Sequence, residues 1–485
     1  MRRITIDPVT RLEGHGKIEI FLNDDGDVEN VYFQVPELRG FEKFCVGRPA
    51  EEMPRIVSRI CGVCPEAHHL CSTKALDNLY GVQPPSAAVK LRELFYCAHQ
   101  VHSHIAHFYV LAAPDFVLGP HAEPAIRNIL GLIKRVGAEV GSEVIKHRSY
   151  AQRVQEIIGG KATHPVCGLP GGVSKSISEE ERREIEALAR SCVEFGELSA
   201  RLFDNLVLRK EEYVDLITGD VYSSPTYYMG LVDDRNRMSF YDGTVRVVDP
   251  EGEEVVRFPA RDYLRHIAEA VEPWTYLKFP YLREVGWRGL VGGKGSGVYC
   301  VGPLARLNVA EGVSTPRAQE EYEKMYSTLG GGPIHAVLAN HWARIVEILN
   351  AAERMLELSR DEEITSDEVR TVPTGTPREG FAVVEAPRGT LFHHYETDEE
   401  GIITRVNIVV ATTHNNAPIC MSIKQAAAAL IRGGEVSEGL LNMVEMAFRA
   451  YDPCFGCATH SLPGDMPLEV RIYDFSGRLR ETLRR

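Results

Sequence analysis

The chain has 485 residues, 44% of them hydrophobic and 25% charged, and its 54 basic against 68 acidic side chains give a formal charge of −14. That is globular composition, with enough length for more than one small core, and an acidic excess without a long basic run excludes nucleic acid and anionic membrane surfaces as expected partners. No stretch of eighteen apolar residues occurs, and Met1-Arg2-Arg3-Ile4-Thr5-Ile6-Asp7 lacks an apolar signal core, so a cytoplasmic protein with no direct membrane insertion is expected.

In chain order, residues 4–35 read as strand and turn. Lys17 to Phe21 alternates, Asn23-Asp24-Asp25-Gly26 turns, and Val28 to Val35 alternates again, which makes a hairpin. A helical pattern follows Cys61-Gly62-Val63-Cys64 and runs to Gly81, ahead of Pro84-Pro85. Apolar residues recur at helical spacing from Ala87 to Ala113, with His99, His102, His104 and His107 among them. Two long helices fit 123–158 and 178–218, the second opening on Ser178-Glu179-Glu180-Glu181, an N-cap followed by acids; His164 to Gly172 between them is a loop.

Residues 221–256 turn strand-like, with a type I′ turn expected at Asp242-Gly243, and 286–303 is glycine-rich loop. A long helix fits Ile334 to Leu358, strands fit 381–386 and 402–411, and helices fit 419–431 and 437–450. Met466 to Tyr473 alternates like a strand. With no internal repeat or linker, the expected architecture is mainly α: a single domain over 1–485, a large multihelical body with small peripheral β-hairpins and sheets.

Eleven cysteines in a large chain, an odd number, argue for thiols rather than a disulfide framework. Seven of them (Cys45, Cys71, Cys97, Cys167, Cys192, Cys300 and Cys420) stand alone and read as small buried hydrophobes. The other four form two pairs, Cys61-x-x-Cys64 and Cys454-x-x-Cys457. Four thiolates are the usual composition of structural zinc, and a structural zinc protein is the competing expectation. Structural zinc, however, staples short modules, whereas these pairs lie at opposite ends of the chain. Soft thiolates also suit nickel and iron, and the flanking Arg59, His68, Asp452 and His460 are titratable in a way that structural zinc does not require.

Asp452-Pro-Cys-x-x-Cys-x-x-His460 with Arg59-x-Cys-Gly-x-Cys-x-x-x-His68 resembles the large subunit of nickel-iron hydrogenases. The likeness extends to Asp7-Pro8-Val9-Thr10-Arg11-Leu12-Glu13-Gly14-His15, Leu38-Arg39-Gly40-Phe41-Glu42, His102-Ser103-His104 with His107-Phe108-Tyr109, and Glu385-Ala386-Pro387-Arg388-Gly389. The resemblance implies that Cys61 and Cys454 bind nickel and that Cys64 and Cys457 bridge it to an iron carrying carbon monoxide and cyanide. Pro387, Arg388 and Thr412 would line those ligands, and His68 would hydrogen-bond a bridging sulfur. Glu42 and His460, with the backbone carbonyl of Asn416, would hold magnesium or a second iron. For His102, His104 and His107, packing and hydrogen bonding are the expected roles.

Splitting dihydrogen, a very weak acid, takes a metal for the hydride and a nearby base for the proton. Cys454 or Arg388 would take that proton first and Glu13 would pass it outward, burial raising the carboxyl group toward neutrality. Ser103 stands where some members of the family have Asp, which removes one carboxylate beside Arg388. The family's large subunit is commonly cut after the terminal histidine, so that either 461–485 is a tail removed on maturation or this chain matures without cleavage.

No Cys-x-x-Cys-x-x-Cys run exists for an electron relay, so an obligate iron–sulfur small subunit is expected. The wording of the motifs resembles the cytoplasmic multimeric branch, most of all the methyl-viologen-reducing type that feeds heterodisulfide reductase. Deazaflavin-coenzyme-reducing and NAD(P)-reducing enzymes are the alternatives. The quinone-site subunit of respiratory complex I resembles this family too, but has lost the thiolates that this chain keeps.

Overall fold

The computed structural model describes residues 2–461, 469–474 and 478–484. It is 48% helical and 18% strand, a mixed but mainly helical architecture. The helix Asn340–Ser359, buried along most of its length, packs against Glu179–Phe203 and Ser86–Ile105, and Ala138–Gly159 packs on both of those. Among the described residues no helix is long and apolar enough to cross a membrane.

Local chemistry sets the helix ends. Ser178 accepts from Glu181 N while the Glu181 side chain accepts from Ser178 N, a reciprocal capping box. Pro65, whose missing N–H costs nothing in a first turn, starts Pro65–Leu79 directly after Cys64. The expected helix over 123–158 is two, Ile129–Val136 and Ala138–Gly159, because Gly137 sits at φ 97. The one expected over 178–218 is α-helical to Phe203 and π-helical over Asp204–Leu208; a separate helix, Glu211–Thr218, follows. The helix expected from Ile334 starts at Asn340, and helices Pro303–Val309 and Pro316–Thr328 escaped the sequence pattern.

Strands Arg2–Ile6, Lys17–Leu22 and Val28–Gln34 form one antiparallel sheet, which adds a strand to the expected hairpin. The type I′ turn at Asp242-Gly243 does not form. Tyr227–Val232 and Thr244–Val248 pair across residues 233–243, Asp242 lacks the positive φ that such a turn demands, and the tight turn falls at Asp249–Glu253. The expected tail strand begins at Glu469, Met466–Leu468 lie outside the described residues, and the 461–485 tail is described only in part.

The sheet that matters most is not peripheral. Glu379–Ala386, Gly389–Thr397 (missed in the sequence) and Ile403–Val409 pair in that order, and the middle strand is buried from Gly389 to Tyr395. Helix Pro65–Leu79 packs on its first strand. Ala386 pairs with Gly389, so the two-residue loop Pro387-Arg388 lies at the sheet's inner end. Gly389 has φ 133, and a Cβ there would lie 2.2 Å from Val301 Cγ2; only glycine fits.

A buried ion cluster ties the N-terminal loop to the C-terminal helices. Asp115 accepts from Arg11, from Arg449 Nη1 at 2.6 Å and from Asn442 at 3.1 Å. Glu445 accepts from Thr10 N and Thr10 Oγ1, both at 2.8 Å, and from Arg449 Nη2 at 3.0 Å. Burial works to raise the Asp115 carboxyl group, but Arg449 and Arg11 hold it below the usual carboxylate range. Its stabilisation is therefore present above the unfolded-state pKa and is lost as pH falls through the lower folded value. Asp115→Ala removes the carboxylate shared by Arg11 and Arg449, leaving Glu445 as the cluster's one anion, and should cost about 3–5 kcal/mol. Thermal unfolding should show that loss, while Glu179→Ala on the surface should leave the unfolding curve where the parent has it.

Candidate metal centre

The two cysteine pairs meet because the chain's ends are locked by main-chain bonds. Glu13 and Cys454 form a parallel bridge, Phe455 N donates to Glu13 O at 3.0 Å, and Arg39 N and Phe41 N donate to Thr459 O and His460 O, both at 2.8 Å. Residues 452–460 thus lie between two N-terminal segments, and Asp452 takes φ 55 at the entry to the turn.

The four sulfurs fit within 4.8 Å of one another, and all four residues are buried. Cys61 Sγ is 3.2 Å from Cys454 Sγ, Cys64 Sγ is 3.4 Å from Cys457 Sγ, and Cys454 Sγ is 3.1 Å from Cys457 Sγ. Hydrogen bonds from the other three thiols pull Cys61 well below the ordinary thiol range, whereas burial and the neighbouring sulfurs push Cys454 and Cys457 well above it. Four soft donors converging in a dry interior are the donor set of a thiophilic metal, so the residues fit one.

The other candidates arrange themselves around the sulfurs. Glu13 Oε2 accepts from Cys454 Sγ and from Gly456 N, both at 2.9 Å. Glu13 is only half-buried; burial first, and then the Cys61 thiolate, raise its pKa. His68 Nε2 stands 3.7 Å from Cys457 Sγ and Nδ1 3.2 Å from His393; burial drops it to about 3, so the imidazole is neutral. Arg388 Nε donates to Asp452 O at 2.8 Å, Nη2 to Asp452 Oδ1 at 3.0 Å, and Nη1 reaches Ser103 Oγ at 3.5 Å. Asp452 and the thiolates keep its guanidinium charged despite burial. Thr412 Oγ1 accepts from Cys454 N at 3.1 Å, leaving its own proton to donate.

Pro387 contributes a carbonyl that accepts from Arg306 Nη2 at 3.3 Å. Arg306 also grips Glu347 through two bonds (2.6 and 2.7 Å), Glu385 at 2.8 Å and Ala386 O at 2.9 Å. This buried clasp, invisible in the sequence, holds the hairpin that carries Arg388. His104 joins it through Glu347 at 2.8 Å, and His107 bonds Arg449 O at 2.8 Å.

Glu42 and His460 make a second constellation. His460 Nδ1–H donates to Cys457 O at 2.7 Å, so Nε2 carries a lone pair. That lone pair faces Glu42 Oε1 at 3.5 Å and has no hydrogen-bond partner, an arrangement that suits a cation between them. No hydrogen bond among the described residues joins Asn416 to this pair. Its side chain donates to Lys278 O, and the main chain beside Glu42 is that of Ile408, whose N–H donates to Oε1 at 2.7 Å.

Residues 39–125 and 292–460 match a family described as nickel-dependent hydrogenase, and residues 3–38 match one described as HoxL-like. The chain is 53% identical, over all of both chains, to an iron-sulfur subunit of the F420-non-reducing hydrogenase of Archaeoglobus profundus. It is 46% identical to a vhu subunit of the F420-non-reducing hydrogenase of Methanocaldococcus jannaschii, over 89% of this chain and all of that protein. A crystal structure of an NAD+-reducing NiFe-hydrogenase in the H2-reduced state matches with a TM-score of 0.89 at 40% identity, covering 95% of this chain and 100% of that one.

Metal binding displaces thiol protons. A divalent ion entering the metal-free chain should therefore release protons, and its affinity should fall as pH falls. Calorimetry in buffers of different ionisation enthalpy detects the release; binding with no proton released would remove the thiols as the ligands.

Proposed function

Because the chain belongs to the nickel-dependent hydrogenase family and is its large subunit, we propose that it carries the dihydrogen-splitting site of an enzyme whose electrons leave through a separate iron–sulfur polypeptide. One observation carries this reading: a buried four-sulfur cluster with a half-buried carboxylate hydrogen-bonded to one of its sulfurs. Cys61, Cys64, Cys454 and Cys457 would hold nickel and iron, the iron with carbon monoxide and cyanide, and that pair would supply the acceptor for the hydride equivalent of dihydrogen.

The chain's own residues do the rest. Cys454 Sγ holds the departing proton and Glu13 Oε2, 2.9 Å away, takes it outward. The raised pKa of Glu13 matches it to that task, because a carboxylate of ordinary acidity would retain too little of the proton near neutral pH. Arg388, pinned by Asp452, presents a permanent positive charge to the anionic ligand set, and the Thr412 hydroxyl donates beside it. His68 supports a sulfur by its Nε2, and Glu42 with His460 would take magnesium or a second iron.

The names of the two relatives support an acceptor other than the deazaflavin coenzyme F420, and we assign delivery through the small subunit to heterodisulfide reductase. Delivery to NAD is the second reading, favoured by the likeness to the NAD+-reducing enzyme.

The purified complex should contain about one nickel per chain and show infrared bands of metal-bound carbon monoxide and cyanide; about one zinc in nickel's place, with those bands missing, overturns the assignment. Glu13→Gln keeps the shape but cannot ionise. It should lower dihydrogen turnover at least about 100-fold with nickel content unchanged, and unchanged turnover would take Glu13 out of the proton path.

A further inference from the structure

Glu66, His99 and His102 form a second cluster of donor atoms that the proposed reaction does not use. Glu66 lies in the first turn of Pro65–Leu79, and His99 and His102 lie one turn apart on Ser86–Ile105. All three are buried, with relative exposures of 1%, 0% and 5%. His99 Nδ1 is 3.1 Å from Glu66 Oε2 and 3.2 Å from His102 Nε2, and one donor atom from each residue fits within 4.8 Å of the others.

No placement of protons satisfies every atom of this group. A ring nitrogen carries either a proton or a lone pair. With Glu66 ionised, a bare His99 Nδ1 can accept from His102 Nε2–H but then faces the Glu66 oxygen lone pair to lone pair, and a protonated His99 Nδ1 is shared between the carboxylate and a His102 nitrogen that must itself be bare. With Glu66 protonated, its one O–H can donate to a bare His99 Nδ1, which leaves His102 Nε2 to share that same lone pair. In every case His99 Nε2 and His102 Nδ1 have no hydrogen-bond partner. Buried polar atoms without partners are costly. A cation accepts all three converging lone pairs at once, and the two outer ring nitrogens then need only buried water.

The spacing agrees. Tetrahedral zinc with bonds of about 2.0 Å places its nitrogen and oxygen ligands roughly 3.3 Å apart. Two imidazoles and a carboxylate are ligands of borderline softness, suited to zinc. Electrostatics pull both ways: Arg388 and the exposed Arg148 oppose a cation near His102, while Glu66 itself and the Cys61 thiolate favour one.

We propose that Glu66, His99 and His102 form a zinc site, one carboxylate oxygen and two imidazole nitrogens with water in the fourth position, clamping the start of Pro65–Leu79 onto Ser86–Ile105. The clamp closes two residues after Cys64 and so fixes the segment that carries the N-terminal thiolates. It is independent of the proposed reaction.

The test uses the whole complex, purified without chelators and incubated with zinc chloride before desalting. About one zinc per chain is expected, with an X-ray absorption spectrum showing nitrogen and oxygen neighbours near about 2.0 Å and none at the sulfur distance of about 2.3 Å. His99→Ala and His102→Ala should each lower zinc at least about tenfold, with nickel content reporting assembly. Zinc below about a tenth of an equivalent in the parent overturns the site. Zinc with sulfur neighbours also overturns it; coupled to missing nickel, that result would instead indict the assignment of the four cysteines. If either variant fails to assemble, the spectrum of the parent decides.

Discussion

The structure depends on holding four sulfurs, which bind a metal only as thiolates, in an interior that water does not reach. An isolated anion there would cost many kcal/mol or would simply be neutralised. The protein's answer is visible in the Arg388–Asp452 pair, which places a fixed positive charge against the sulfurs and a hydrogen-bonded carboxyl group behind it. Arg388 cannot lose its proton to relieve strain, so the charge pattern survives when the ligand set around it changes. A lysine would give the same formal charge but lacks the planar fork that bonds Asp452 through Nε and Nη2 together.

Behind this pair the burden passes to Arg306, wholly buried with Glu347 and Glu385. Burial works against the Glu347 carboxyl, yet Arg306 pulls it down to about 2, whereas burial outweighs Arg306 at Glu385 and raises that carboxyl. Buried ion clusters of this kind are weak contributors to net stability, since desolvation consumes most of the Coulomb gain. Their value here is directional. Arg306 bonds the carbonyls of Ala386 and Pro387, which fixes the two-residue loop and therefore the guanidinium that follows.

How much of this could be read from the chain follows from distance along it. The Cys-x-x-Cys pairs, His68 and His460 declare themselves because each sits within a few residues of a thiolate. Glu13 and Glu42 belong to N-terminal segments that recur with those pairs, and the structure puts both beside Cys454–His460. Asn416 is a different case: the expected ligand there is a backbone carbonyl, which carries no side-chain signal, and its side chain is occupied by Lys278 O. Arg306, Glu347, Asp115 and Arg449 are charged residues on largely apolar helices, which a periodicity reading assigns to solvent, and their partner Arg11 sits in a loop that periodicity does not reach. The missed strand Gly389–Thr397 is buried on both faces as far as Tyr395, with Thr390, His393 and His394 among its apolar residues, so it lacks the alternation that marks a half-exposed strand.

A dry site also has to let protons out, and the two demands conflict unless polarity changes sharply over a short distance. Cys454 is wholly buried, yet Glu13, in hydrogen-bond contact with it, is only half so. One carboxylate therefore spans the boundary. Its inner oxygen is fixed by the Cys454 thiol and the Gly456 amide, and the close approach is possible because Gly456 has no Cβ: one added there would lie 2.6 Å from Glu13 Oε1. A longer polar chain reaching into the site would bring water to the sulfurs. In the proposed reaction a single carboxylate, held at its inner end and raised in pKa by the same burial that keeps the sulfurs dry, moves a proton across that boundary without opening it.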